Sequence, residues 1–161
     1  MKIGIVCYPT YGGSGVVATE LGLGLAKKGH KVHFITYRRP ARLTHFHENV
    51  FYHEVSGEDY PLFEYPPYDT ALASKLVDVV KFEQLDLLHV HYAIPHATVA
   101  YMAKKILLRR NRLPAFDRNT TRIAITIPPR TPKDRDSNSA KHNKTKAIKC
   151  LLSVLNTKAV K

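Results

Sequence analysis

Four small residues in a row, Gly12-Gly13-Ser14-Gly15, follow the apolar run Lys2-Ile3-Gly4-Ile5-Val6-Cys7 and precede a stretch with helical apolar spacing. Glycines let backbone approach a ligand closely. The first turn of a helix adds unpaired N–H groups and the positive end of the helix dipole, and together these suit a phosphate or a carboxylate. Gly13-Ser14-Gly15-Val16-Val17-Ala18 also satisfies the Gly-x-Gly-x-x-Gly/Ala spacing of a dinucleotide turn, so an NAD(P)-binding oxidoreductase domain is one alternative. Against it, the five residues Tyr8 to Gly12 separate the strand from the first fingerprint glycine, and no Asp or Glu ends the second strand to hold a ribose. Arg38 and Arg39 would have to serve an NADP phosphate instead.

Histidines form the second group. His89-Val90-His91 on a strand puts both imidazoles on one face, with His96 five residues beyond His91. No Cys or acidic ligands accompany them, so packing at a strand end is the expectation and no metal site is assigned. His91 and Tyr92 fall at the carboxyl end of that strand, the edge at which ligands of open α/β sheets bind. His45, His47, Glu48 and His53 are dense but match no metal-ligand spacing, and are read as structural. No residue is given a catalytic role, and no cofactor is expected.

The elements that must position these residues are an alternation of strands and helices. Lys2–Cys7, Lys31–Thr36, residues 49–55 and residues 85–91 read as strands, the first continuous enough in apolar residues to be covered on both faces. Helices are expected over 14–28, capped by Ser14 and stopped by Gly29, over 69–83, and over 95–108 with Pro95 in its first turn. The fold class is α/β with a Rossmann-like parallel sheet of four strands. Its outer strand, 85–91, would be left with an exposed edge, which predicts low stability and aggregation.

Charge is not spread evenly. Residues 1–108 hold 11 Lys/Arg against 10 Asp/Glu, whereas residues 109–161 hold 14 against 3, so almost all of the net +12 belongs to the tail. That segment carries Pro, Ser and charge without a face and is expected to be disordered, apart from a short apolar stripe over 147–160. A small basic protein binding nucleic acid or an anionic surface is the second alternative; without interleaved aromatics, no specific nucleic acid is expected. No run approaches the roughly 18 apolar residues of a membrane span, no signal peptide is recognisable, and Cys7 and Cys150 are the only cysteines. A reducing cytoplasm is the expected location.

Several motifs taken together resemble one family. These are residues 2–15 with Ala18-Thr19-Glu20-Leu21-Gly22, the Gly29-His30 turn leading into Val32-His33-Phe34-Ile35-Thr36, Tyr65-Pro66-Pro67-Tyr68-Asp69 with Leu72-Ala73-Ser74-Lys75, and residues 89–97. Over residues 1 to about 108 they look like the N-acetyl-α-D-glucosaminyl L-malate synthases of bacillithiol biosynthesis, which are family 4 glycosyltransferases. The resemblance implies a two-Rossmann-domain (GT-B), retaining, metal-independent transferase that moves N-acetylglucosamine from UDP-GlcNAc to the hydroxyl of L-malate. It further implies that Gly12, Gly13 and Ser14 lie beside the diphosphate and acceptor carboxylates, that Tyr92 helps to hold the acceptor, and that His91 stands beside it.

The sequence also departs from that pattern. After about Leu108 the family continues into a strand with a His-Gly-Thr-Asp motif and then a whole second domain that makes most of the UDP-sugar contacts. Neither occurs here. Residues 1–108 are therefore expected to be a partial amino-terminal domain, and residues 109–161 a basic tail of frameshifted origin. Arg118-Asn119-Thr120-Thr121-Arg122 can be encoded so that the adjacent frame reads Val-Thr-Leu-His-Gly. As it stands the chain is expected to be inactive.

Overall fold

A computed structural model describes residues 1–57, 67–110 and 122–126. Five strands, β1 (Lys2–Val6), β2 (Lys31–Thr36), β3 (Val50–Glu54), β4 (Leu87–His91) and β5 (Arg122–Thr126), form one sheet in the order β3-β2-β1-β4-β5. Every pairing is parallel. Helices α1 (Gly13–Lys27), α2 (Tyr68–Glu83) and α3 (Thr98–Arg110) connect and cover it.

Period-two alternation of the strands sorts the core into two layers. Ile3, Ile5, Cys7, Val32, Phe34 and Leu87 face α1 and pack with its Ala18, Leu21 and Leu25. Val6, Ile35, Leu88 and Val90 face the other way, onto Leu72, Leu76 and Val80 of α2 and Val99, Ala100 and Ala103 of α3. Both faces of the central strands are thus buried, which is why they read as nearly continuous apolar runs. Burial pushes the Cys7 thiol up to about 12, so it is a packing residue and not a nucleophile.

Three expectations are corrected. β4 is not an edge, because β5 pairs with it from Leu87↔Arg122 to His91↔Thr126. The stretch Arg122-Ile123-Ala124-Ile125-Thr126 alternates β-branched residues with others, a strand pattern hidden inside a basic segment. Ser14 is not the cap of α1: the cap position is Gly12, and no side chain bonds there. Finally, α3 begins at Thr98 and not at Pro95, because residues 93–97 form a kinked turn in which Ile94 has extended backbone angles. Gly29 does end α1 as expected, with φ +82 and its N–H bonded to the carbonyl of Ala26.

The readings made for Tyr65 and Pro66, for the apolar stripe at 147–160 and for the remainder of the basic tail lie outside the described residues. No helix among the described residues is long and apolar enough to cross a membrane.

Candidate functional site

The strand order reverses between β1 and β4. From β1 the chain winds outward to β2 and β3, and from β4 it winds the opposite way to β5. The carboxyl ends of β1 and β4 therefore border the crevice where open α/β sheets take their ligands. Val6 pairs with Val90 in register, so Tyr8 and Tyr92, each two residues further on, leave the sheet side by side. Their rings meet edge to face with centroids 5.2 Å apart.

The glycine turn is locked to the same corner through Tyr8. A Cβ on Gly15 would lie 2.5 Å from the carbonyl oxygen of Tyr8 and 2.8 Å from that of Thr10, so only glycine lets the loop fold this closely onto the first turn of α1. Gly13 has φ +58, an angle that favours glycine. The α1 N-terminus that results carries no side-chain cap and no acidic residue in its first turn. Gly12 and Gly13 are exposed and Ser14 is nearly buried. Free N–H groups and the dipole end are therefore presented beside Tyr8 and Tyr92, and their chemistry suits an anion.

Aromatic rings line the rest of the corner. His96 is fully buried and packs at a tilt against Tyr8 with ring centroids 4.4 Å apart, while Tyr37 meets Tyr8 at 6.4 Å and Tyr68 at 5.7 Å. The Nδ1 of His96 lies 2.7 Å from the carbonyl oxygen of His91. That bond fixes the proton on Nδ1 and leaves the Nε2 lone pair toward the Tyr68 hydroxyl at 3.5 Å. Burial lowers the His96 pKa, partly offset by this backbone bond and by Asp69, so the ring is neutral at pH 7. Burial, with Tyr8 and Tyr37 nearby, raises the Tyr68 pKa and keeps its phenol a hydrogen-bond donor. Such a corner can hold an anionic group at the helix end and hydroxyls along the phenols.

Of the residues singled out from sequence, Gly12, Gly13, Ser14 and Tyr92 come to this corner. The ring of His91 is buried at 1% exposure, and its Nε2 has no partner among the described residues. His91 reaches the corner through its carbonyl, by way of His96. Sequence reasoning missed Tyr8, Tyr37, Tyr68 and His96 as a set. They lie far apart in the chain, and only the strand order brings them together.

Tyr92 has φ 94 and ψ 135, a conformation that favours glycine and costs a bulky residue on the order of 1–3 kcal/mol. Replacing Tyr92 by Gly should leave thermal stability level or raise it, because relief of the strained backbone offsets the lost ring contacts. Ligand affinity at the corner should fall at the same time. Thermal unfolding and ligand titration of the same variant check this, and a variant that loses stability in proportion to affinity would show that the ring is only structural.

A parallel α/β sheet with an uncapped, glycine-bounded helix start at its switch point defines a domain of the Rossmann-like ligand-binding class. The chain belongs to Glycosyltransferase Family 4, which matches residues 11–116. It is 56% identical over 113 residues to the N-acetyl-alpha-D-glucosaminyl L-malate synthase of Bacillus anthracis, a match that takes in 70% of this chain and 30% of that protein. The chain thus spans less than a third of the length of that relative. The crystal structure of the glycosyltransferase SnogD from Streptomyces nogalater overlaps 85% of this chain and 49% of its own at a TM-score of 0.45 and 14% identity, too loose a likeness to carry residue correspondences.

Proposed function

We propose that this chain forms the amino-terminal wall of the substrate cleft of an N-acetylglucosamine transferase, with UDP-GlcNAc as donor and L-malate as acceptor, working in the cytoplasm. The N–H groups of Gly12, Gly13 and Ser14 receive carboxylate or diphosphate oxygens. Tyr92 orients the acceptor, and His91 acts through its carbonyl by fixing His96. Residues 1–108 make up this wall, with β5 paired onto its sheet.

The observation that carries this reading is the uncapped start of α1 at the switch point, in a chain so close in sequence to a malate glycosyltransferase. Gly12 supplies a clean test. Its φ of −129 is open to any residue, and nothing lies within 4 Å of a Cβ added there. Gly12→Val should therefore leave the fold intact while placing a side chain over the helix end. Calorimetric titration should show L-malate binding to the native chain and at least tenfold weaker binding to Gly12→Val at unchanged melting temperature, with no NADPH binding to either. Equal malate affinity in both proteins would overturn the assignment.

A further inference from the structure

We infer that His33, His53 and Glu83 form a divalent transition-metal site, best suited to Zn²⁺, that ties β2, β3 and the end of α2 together. It is separate from the substrate corner. Glu83 closes α2 near the start of β1, where Lys2 Nζ donates to the Glu83 carbonyl at 2.8 Å, and His33 and His53 lie within β2 and β3 and not on β1 and β4, whose ends border the corner.

The strand register builds the pair. His33 lies opposite Phe51 and His53 opposite Ile35, so the two histidines are diagonal neighbours on adjacent parallel strands. Their rings stack at 5.2 Å and 19°, and His33 also stacks on Phe51 at 4.8 Å and 17°. Stacking fixes both planes, and His33 Nδ1 then lies 2.9 Å from His53 Nε2. One ligand atom from each histidine and a carboxylate oxygen of Glu83 all fall within 4.8 Å of one another. Two imidazoles and one carboxylate are a common donor set for zinc, leaving a fourth position for water. Zn–N bonds of about 2.0–2.1 Å in tetrahedral geometry put the nitrogens about 3.3 Å apart, so the pair opens by only a few tenths of an ångström.

Without a metal the two rings share a single hydrogen: His33 is 1% exposed, and its Nδ1 is bonded to His53 Nε2. A metal between the same two nitrogens replaces that shared hydrogen and leaves His33 Nε2, which has no hydrogen-bond partner among the described residues, as it was. Burial holds both rings below the ordinary histidine pKa, which leaves them neutral and ready to coordinate at pH 7. The charges around them are Lys2 and Lys31 near His33 and Lys75 near His53, which disfavour a cation, against Glu83, which acts on both rings and is the strongest charge on each.

The test uses the full chain, stripped with a chelator and titrated with Zn²⁺ against a chromogenic competitor at pH 7.5, with Co²⁺ as optical reporter. The expected results are one tight equivalent, the strong visible bands of a tetrahedral cobalt site, and a rise in melting temperature. Affinity should fall at least about tenfold in both His53→Gln and Glu83→Gln, and not in a His45→Ala, His47→Ala double variant. In case a variant fails to fold, nitrogen-15 spectra of the native imidazoles provide a second readout: Zn²⁺ should move the ring nitrogens of His33 and His53 before those of any other histidine. Binding no tighter than that of isolated histidine, affinity unchanged in Glu83→Gln and His53→Gln, or first shifts at other rings would each overturn the site and leave a simple His–His hydrogen bond.

Discussion

Gly15→Ala should lower stability by about 1–3 kcal/mol and abolish ligand binding at the sheet corner, although it adds a single methyl group. The methyl carbon would lie 2.5 Å from the Tyr8 carbonyl oxygen, 2.8 Å from that of Thr10 and 2.8 Å from Thr10 Oγ1. Two of these are backbone atoms, which no rotamer change can move, so the loop must lift from α1. Ala18, Leu21 and Leu25 hold α1 against the sheet, and Thr19 Oγ1 donates to the Gly15 carbonyl at 2.8 Å within its first turns, so the helix does not yield instead. Lifting the loop shifts Tyr8, and with it the contacts to Tyr92 and His96. Gly24→Ala on the same helix is the control: nothing lies within 4 Å of its added Cβ, and better helix propensity should stabilise by roughly 0.5–1 kcal/mol. Thermal unfolding of the two variants should move in opposite directions, and a parallel decrease would mean that α1 tolerates no alanine for reasons unrelated to the loop.

Acid should unfold the chain at an unusually mild pH. Burial pushes the His89 pKa down to about 4 and the His91 pKa to about 3, the latter helped by His89 and His96. Both rings are neutral in the folded state and free to take a proton near pH 6.5 once unfolded. Their contribution is therefore complete above about pH 6.5 and is lost as pH falls from there toward about 4, at up to about 1.4 kcal/mol per pH unit for each ring. By pH 5 the two together cost roughly 4 kcal/mol, a large part of the stability of a domain this size. His96 acts in the same direction, moderated by Asp69 and its bond to the His91 carbonyl. Urea midpoints taken from pH 7.5 to 4.5 should fall steeply below pH 6.5. His91→Leu, which removes a ring whose Nε2 has no partner among the described residues, should shift the acid midpoint downward. A midpoint flat to pH 5 would contradict the neutral burial of these rings.

Much of the fold was legible because period-two and helical spacing are local. β1 to β4 and α1 to α3 fall within a few residues of the ranges that apolar patterning marks out. β5 was not legible, since Ile123 and Ile125 sit among basic and polar neighbours and their strand depends on pairing with β4, a tertiary interaction. The helix after β4 started late for a similar reason, because the chain turns through residues 93–97 to bury His96 before α3 begins. At the site, Gly12, Gly13, Ser14 and Tyr92 carried a signal in residue type and position. The Tyr8, Tyr37, Tyr68 and His96 cluster and the diagonal pair of His33 and His53 carried none, since each exists only once strand order and register are set.

The measurement that tests the account most directly is amide chemical-shift mapping of the full chain during titration with L-malate at moderate salt. Shifts that saturate together at Gly12, Gly13 and Ser14 and across residues 92–96, and that vanish in Gly12→Val, are the predicted result. Shifts scattered through the basic residues 109–161 that fade as salt is raised, with the glycine turn unmoved, would contradict it.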